Sequence, residues 1–366
     1  MASDRGARLL QSDESRIVAE YNDDLSIPTQ SSQWFTGVTK FDNPWSTWVK
    51  PGLLKAFEWQ VTKKRAAMPD NDELDRVLPV LKPKWNKIQK PPKGEAQVTW
   101  MGHASFLIQM DGLNLLTDPV WSDRCSPVPL VGPCRYREPP CELYELPPID
   151  AILISHNHYD HLDLATALHF GDSVLWIVPK ALDGWFKQQE ISNVVALDWW
   201  EKYPLTKSVE AVCLPAQHWS KRTVTDDMQT LWCGWGLIGS KSVYFAGDTG
   251  YCSVFKEIGK KYGPFDLGLI PIGAYGPRSM MKCQHVDPKE AVSIHVDIQC
   301  KQSIGMHWGT WVLTDEHVFE PPNLLAKELV KRRLNANSFV AIHHGQVFDT
   351  SRSWQVETID ILNVKY

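Results

Sequence analysis

The chain has no C-x-x-C pair, no long apolar run, no stretch dominated by one sign of charge and no internal repeat. Each absence removes a class of protein. Eight cysteines scattered over 366 residues make neither a thiolate zinc module nor a disulfide framework, and they read as reduced thiols, mostly buried. No run reaches the roughly 18 apolar residues that a membrane-spanning helix needs. The opening MASDRGARLLQSDESR lacks the apolar centre of a secretory signal, so a protein that neither crosses a membrane nor is secreted is expected. Lysine and arginine number 38 against 43 acidic residues, a formal charge of −5. With no basic stripe to neutralise phosphates, a nucleic-acid partner is not expected. No similarity recurs at a period of about 20 to 50 residues, which argues against a solenoid or propeller. Two halves of shared topology could still have diverged too far to show.

What is present fits a large folded core: hydrophobic residues make up 43% of the chain and seventeen are tryptophan. Residues 1–33 are polar and aperiodic and read as a mobile N-terminal segment. Residues 34–94, with FDNPWSTWVKPG and VLPVLKPKW, read as an irregular arm packed on the main domain. Residues 95–366 form the expected catalytic domain. There, QVTWMG, SFLIQM and LNLLT read as strands, with a tight turn at Asp111-Gly112. AILIS, LWIVP, VEAVCLPA, LWCGWGLIG, SVYFAGD, LGLIPIG, QSIGMHW and FVAIHHG read as further strands. LDLATALHF, DPKEAVSIHVDI and PPNLLAKELVKRRL have helical spacing, the second capped by Asp287 with Pro288 at its first position. Strands interspersed with helices predict an α/β protein built as an αββα sandwich.

Directly after AILI comes SHNHYDHLD, with three histidines and two aspartates in nine residues. In an extended segment alternate side chains share a face, so His156 and His158 can meet on one cation. Asp160 and His161, opening the following helix, then face a second cation beside the first. Completing ligands are expected at other strand ends: His218 in AQHW, Asp248 in AGDTG and His307 in MHWGT. One ion takes His156, His158 and His218, the other Asp160, His161 and His307, and Asp248 bridges both. Imidazole and carboxylate without thiolate suit zinc, with iron or manganese as alternatives. His103 in WMGHASF and Asp118 in LLTDP read as supporting residues, Asp118 orienting a ligand loop through hydrogen bonds. His169 and His295 read as structural, and His343 and His344 carry little sign of ligation.

SHNHYDHLD with AQHW, AGDTG and MHWGT resembles the metallo-β-lactamase superfamily. The longer phrases TWMGHASF, LTDPVWSDR, LDWWE, FAGDTGYC, GPFDLGLIPIGAY and QHVDPKEAV resemble the N-acyl-phosphatidylethanolamine-hydrolysing phospholipase D family, over about residues 40–346. The resemblance implies a fold of the metallo-β-lactamase type. It also implies a phosphodiesterase with two Zn2+ per chain, releasing N-acylethanolamine and phosphatidic acid from an N-acylated phospholipid. The same seven ligands are implied, with pocket roles for Gln284 and His285. So are a homodimer and a cytoplasmic enzyme held peripherally on intracellular membranes.

Two cations about 3.5 to 4 Å apart lower the pKa of a shared water, so attack of water on phosphorus is the expected chemistry. Asp248 and Asp160 serve it from the metal site, while Tyr159 and His285 are the expected hydrogen-bond partners of phosphate or leaving oxygen. Trp45, Trp48, Trp219 and Trp308 are candidates for an apolar groove or a lipid interface. Competing readings are a sugar-phosphate lactonase, a nucleic-acid phosphodiesterase of the same fold, or a metal-binding protein without catalysis.

Overall fold

The computed structural model describes residues 14–19, 30–33, 39–50, 52, 59, 61–62, 66–128 and 130–351. Three short strands come first: β1 (Val18–Ala19), β2 (Gln30–Gln33) and β3 (Thr39–Asp42). β2 and β3 form an antiparallel hairpin, and β1 pairs with Glu201 and Lys202 at the edge of a larger sheet. The segment 1–33 expected to be mobile thus holds two paired stretches, and its expected boundary falls inside a hairpin. Edge pairing uses backbone groups alone, so a polar, aperiodic stretch gives no sign of it. The rest of that segment lies outside the described residues. In the arm, Phe41 and Trp45 are buried, and Phe41 N donates to Met228 O at 2.8 Å. Helix α1 (Asn71–Val77) is capped by Asp70, whose side chain accepts from Glu73 N, and buries Leu74 and Val77. A single turn, α2 (Trp85–Ile88), follows.

From here the chain builds two sheets around one core. β4 (Gln97–Gly102), β5 (Ser105–Met110) and β6 (Leu113–Thr117) form an antiparallel meander, after which β7 (Ala151–Leu153), β8 (Leu175–Pro179) and β9 (Val194–Leu197) run parallel to β6. The second sheet repeats the plan. β10 (Glu201–Pro204), β11 (Glu210–Leu214), β12 (Gly234–Ile238) and β13 (Ser242–Phe245) are antiparallel, and β14 (Leu267–Pro271), β15 (Ser303–Met306) and β16 (Phe339–Val340) continue parallel to β13. β17 (Val347–Asp349) returns to pair with β4. The halves do share topology, and the equivalent strands β6 and β13 each lead to an aspartate, Asp118 directly after Thr117 and Asp248 three residues after Phe245. The hairpin at Asp111-Gly112 has φ of 48° and 83°, the left-handed pair that a type I′ turn requires.

Both faces of these strands are apolar because both are covered. Phe106, Ile108 and Leu115 point into the core between the sheets, while Leu107 and Leu116 point to the other side. There α3 (Leu164–Phe170) and α4 (Asp183–Gln188) cover them with Ala167 and Phe186. Beyond the second sheet, α5 (Val254–Tyr262), α7 (Pro288–Asp297) and α8 (Glu320–Lys331) bury Phe255, Ile294 and Leu325, after the short α6 (Arg278–Met281). Asp287 caps α7 through Glu290 N at 2.8 Å, with Pro288 in the first turn. The result is the expected αββα sandwich. All eight cysteines are free thiols, six of them buried.

His295 on α7 is a structural histidine, its Nδ1 2.8 Å from Ser303 Oγ. Burial pushes its imidazole down to about 4, against about 6.5 in an unfolded chain. The unfolded chain therefore takes the proton first, so stability is intact above about pH 6.5 and falls by up to about 3 kcal/mol as pH drops toward 4. Denaturation followed across that window is expected to show a shallower slope for His295→Gln. An identical slope would remove His295 from the acid response.

Candidate metal centre

Every candidate ligand lies at the same end of the sandwich, where loops leave the strands, the usual place for sites in open α/β sheets. The loop after β7 carries His156, His158, Asp160 and His161; the loop after β11 carries His218; Asp248 follows β13 and His307 follows β15. Their donor atoms converge in two clusters. In the first, His156 Nε2 is 2.8 Å from His158 Nδ1, and His218 Nε2 is 3.3 Å from that same Nδ1. Asp248 Oδ2 stands 3.8 Å from His156 Nε2 and 3.7 Å from His218 Nε2. In the second, His307 Nε2 is 3.1 Å from His161 Nε2 and 3.4 Å from Asp160 Oδ2. Asp248 faces both clusters, with Oδ2 3.2 Å from His161 Nε2 and Oδ1 3.0 Å from His307 Nε2.

The donor set fits cations. His218 Nδ1 donates to Gln284 O at 2.9 Å and His161 Nδ1 to Asp118 Oδ2 at 2.6 Å. Ser155 Oγ gives its proton to Asp118 Oδ2, so it accepts from His156 Nδ1 at 2.9 Å. The outer nitrogens of three imidazoles thus hold the protons, and lone pairs point at lone pairs across the interior. Positive charge between them relieves that arrangement. Electrostatics makes the same demand. Burial pushes His161 down, yet Asp248, Asp160 and Asp118 outweigh it and hold it well above its usual value. Burial pushes Asp248 up, while His161, His307 and His285 hold it well below the usual carboxylate range.

Close backbone approach fixes the Asp248 turn. Gly247 has φ of 58°, and a Cβ there would lie 2.7 Å from Ser155 Cβ and 2.8 Å from Cys233 O. Gly250 N donates to Gln217 O at 2.8 Å, tying this turn to the loop of His218.

The other expected site residues fall differently. His285 borders the centre, with Nδ1 3.8 Å from Asp248 Oδ2, and burial pushes it down to about 4, so its imidazole is neutral at pH 7. Gln284 contributes its carbonyl to His218, while its side-chain amide reaches Met281 Sδ. Tyr159 departs from expectation: its hydroxyl donates to Arg222 O at 2.7 Å, and a phenol has one proton to give. Of the tryptophans, Trp45 and Trp308 belong to the core, packed on Trp199 and Trp100. Their rings complete apolar packing and are not available to lipid. The ring of Trp219 lies against a candidate ligand, 4.5 Å from that of His158.

His103 has a larger place than its motif suggested. Its Nε2 is 3.1 Å from Asp160 Oδ2, and its ring lies 4.0 Å from that of His307. Arg222 gave no sign in sequence. Its Nη1 donates to Asn157 O at 3.1 Å and Leu162 O at 2.7 Å, clamping both ends of the ligand loop. Arg222→Ala leaves those carbonyls without their donor. Stability is expected to fall by about 2 kcal/mol, and retention of metal against a competing chelator to weaken about tenfold. Retention equal to wild type would show the loop holds its shape without the clamp.

An αββα sandwich with a histidine and aspartate cluster at its strand ends defines a metallo-hydrolase of the β-lactamase superfamily. Residues 113–308 match the Beta-lactamase superfamily domain. The fold is shared with a metallo hydrolase of the archaeon Ignicoccus hospitalis, at TM-score 0.53 and 18% identity over 70% of this chain and 98% of that one. It is also shared with an isothiocyanate hydrolase from Delia radicum gut bacteria, at TM-score 0.54 and 17% identity over 69% of this chain and 98% of that one. Sequence relatives are nearer. N-acyl-phosphatidylethanolamine-hydrolyzing phospholipase D 1 of Caenorhabditis elegans is 39% identical, over 89% of this chain and 99% of its own length. The Saccharomyces cerevisiae protein named as the mitochondrial enzyme of that type is 32% identical, over 78% of this chain and 70% of its own. The chain belongs to the N-acyl-phosphatidylethanolamine-hydrolysing phospholipase D family.

Proposed function

We propose that the protein hydrolyses N-acyl-phosphatidylethanolamine to N-acylethanolamine and phosphatidic acid with two zinc ions per chain. What carries this reading is the coincidence of a complete seven-residue donor set with 39% identity across nearly the whole of the worm enzyme. His156 Nε2, His158 Nδ1 and His218 Nε2 would hold one ion and Asp160, His161 and His307 the other, with Asp248 between them. Two divalent cations there supply Lewis acidity and an activated water.

The chain's own residues do the positioning. Asp118, Ser155 and Gln284 fix the ligand imidazoles, and His103 fixes Asp160. Water adds to phosphorus, the bond from phosphorus to the ethanolamine oxygen breaks, and that oxygen takes up a proton. The neutral imidazole of His285, at the rim of the centre, offers an N–H to the phosphate. Tyr159, its proton committed to Arg222 O, supports the ligand loop instead.

A lipid surface as the place of action is supported by apolar side chains around the ligand loop. Leu130 is 89% and Val224 90% exposed, on loops whose bases reach Asp163 and Leu162 respectively. Leu164 and Leu168 lie exposed on α3, the helix that follows the ligand loop. Among the described residues no helix is long and apolar enough to cross a membrane, so contact would be peripheral, on intracellular membranes facing the cytoplasm. Leu130→Asp is expected to cut sedimentation with phospholipid vesicles severalfold; equal sedimentation would exclude that loop as the contact. The reading includes a homodimer, which light scattering of the purified protein tests.

The reaction is tested with N-acyl-phosphatidylethanolamine and phosphatidylcholine together in mixed micelles, identifying products by mass spectrometry. Phosphatidic acid with free N-acylethanolamine, from the first lipid only, is the expected result. No product from either, with two zinc ions bound per chain, would turn the assignment to a soluble lactone or phosphodiester.

A further inference from the structure

The FDNPWSTW stretch of the arm lies against the loop that carries His218. Asn43 is buried, and its Nδ2 donates to the main-chain oxygen of His218 at 2.7 Å. Four residues on, Thr47 Oγ1 donates to Gln217 Oε1 at 2.5 Å. This bond orients the buried Gln217 amide so that its Nε2 donates to Cys283 O at 2.8 Å. The next residue, Gln284, offers the carbonyl that accepts from His218 Nδ1 at 2.9 Å. The arm therefore reaches both supports of this imidazole, the main chain that bears it and the segment that accepts its outer proton.

Attachment of the arm does not call for these bonds. Phe41 and Trp45 are buried on either side of Asn43, Trp45 against Trp199, and Phe41 N is bonded to Met228 O. A buried amide is costly where it is not fully paired, and Asn43 Oδ1 has no hydrogen-bond partner. Its one buried side-chain bond goes to a candidate ligand. The second cluster is held from elsewhere: His161 by Asp118 after β6, and Asp160 by His103 between β4 and β5.

We propose that Asn43 and Thr47 are positioning residues for His218, which makes the arm a working part of the first metal cluster and not of the second. This rests on the reading of His218 as a metal ligand.

The test titrates the full-length, metal-stripped protein with zinc, as wild type, Asn43→Ala, Thr47→Val, Thr47→Ser and Phe41→Leu. Thr47 is exposed, so valine there spares the fold, and serine restores the hydroxyl. Phe41→Leu loosens the apolar packing of the arm and keeps its main-chain bond. Asn43→Ala and Thr47→Val are each expected to weaken one zinc event about tenfold and leave the other within about twofold, with Thr47→Ser and Phe41→Leu close to wild type. Both events unchanged in the first two variants, or both weakened alike, would overturn the proposal, as would the same selective loss in Phe41→Leu. A second readout needs no metal. The Nδ1–H resonance of His218, identified by its absence in His218→Gln, is expected to exchange with water about tenfold faster or more in Asn43→Ala and Thr47→Val than in wild type. Equal exchange would overturn the positioning role. A wild-type chain that takes up no zinc would sink the metal reading instead, and the exchange rates would still decide this one.

Discussion

Asp248→Asn is expected to lower turnover about a thousandfold, the scale set by removing one preorganised charged group from a buried catalytic site. The reason is in its neighbours. One carboxylate stands within 3.0 to 3.8 Å of inward nitrogens on His156, His161, His218 and His307, so a single negative charge serves both clusters. An asparagine of the same shape keeps one oxygen but directs an amide N–H2 at the other cluster, where a donor opposes a cation. Little change in the fold is expected, because Gly247 and the Gln217 to Gly250 contact shape the turn without the carboxylate. Zinc content by elemental analysis and turnover on mixed micelles are measured together. Turnover within twofold of wild type would remove Asp248 from the centre. Loss of turnover with the whole fold lost would leave the carboxylate's role to be read from metal content in refolded protein.

The candidate ligands were more legible in the sequence than their supports, for a physical reason. A ligand must stand at a strand end in a short polar loop, so H-x-H-x-D-H after AILI announces itself, as do AGDTG after SVYFA and MHWGT after QSIG. Support is exchanged between segments far apart in the chain. His103 meets Asp160 across 57 positions and Arg222 meets Leu162 across 60, and no local pattern records such a pairing. Tyr159 misled because its place in the ligand loop suggests the pocket, whereas the direction of its hydroxyl is set by a carbonyl 63 positions away. Most strands with apolar patterns were legible, although the short VVAL of β9 went unread, and β1 and β2 were not, since Val18–Ala19 and Gln30–Gln33 are held by backbone pairing at an edge. The tryptophans read as groove or interface candidates for a related reason: composition counts rings but does not say which face of a sheet they occupy. Asp118 is the exception among the supports. A carboxylate directly after a strand, LNLLT then Asp118, could be read as an orienting residue because the position itself points it at the loop end of the sheet.

Asp118→Ala is the second substitution with a large expected effect, and it separates support from ligation. The carboxylate is fully buried and accepts from Ser155 N at 2.7 Å, Ser155 Oγ at 2.6 Å and His161 Nδ1 at 2.6 Å. Burial pushes its carboxyl up, and the hydrogen bonds from His161 and Ser155 pull it back. Alanine leaves these buried donors unpaired, each costing about 1 to 3 kcal/mol, so a loss of about 3 kcal/mol or more in unfolding free energy is expected. The metal consequence is selective. His161, released from its acceptor, no longer holds its proton on Nδ1, and the cluster of Asp160, His161 and His307 is expected to lose affinity about a hundredfold. His218 keeps Gln284 O, so the other cluster is expected to hold its ion more tightly than that. On the proposed two-zinc reading, titration of metal-stripped protein with zinc should therefore change from two tight events to one tight and one weak, while Asp118→Asn, which keeps an acceptor oxygen for Ser155, should recover stability better than it recovers the weak site. Two equally weakened events would mean that Asp118 supports the whole loop after β7 through Ser155 and has no special hold on His161.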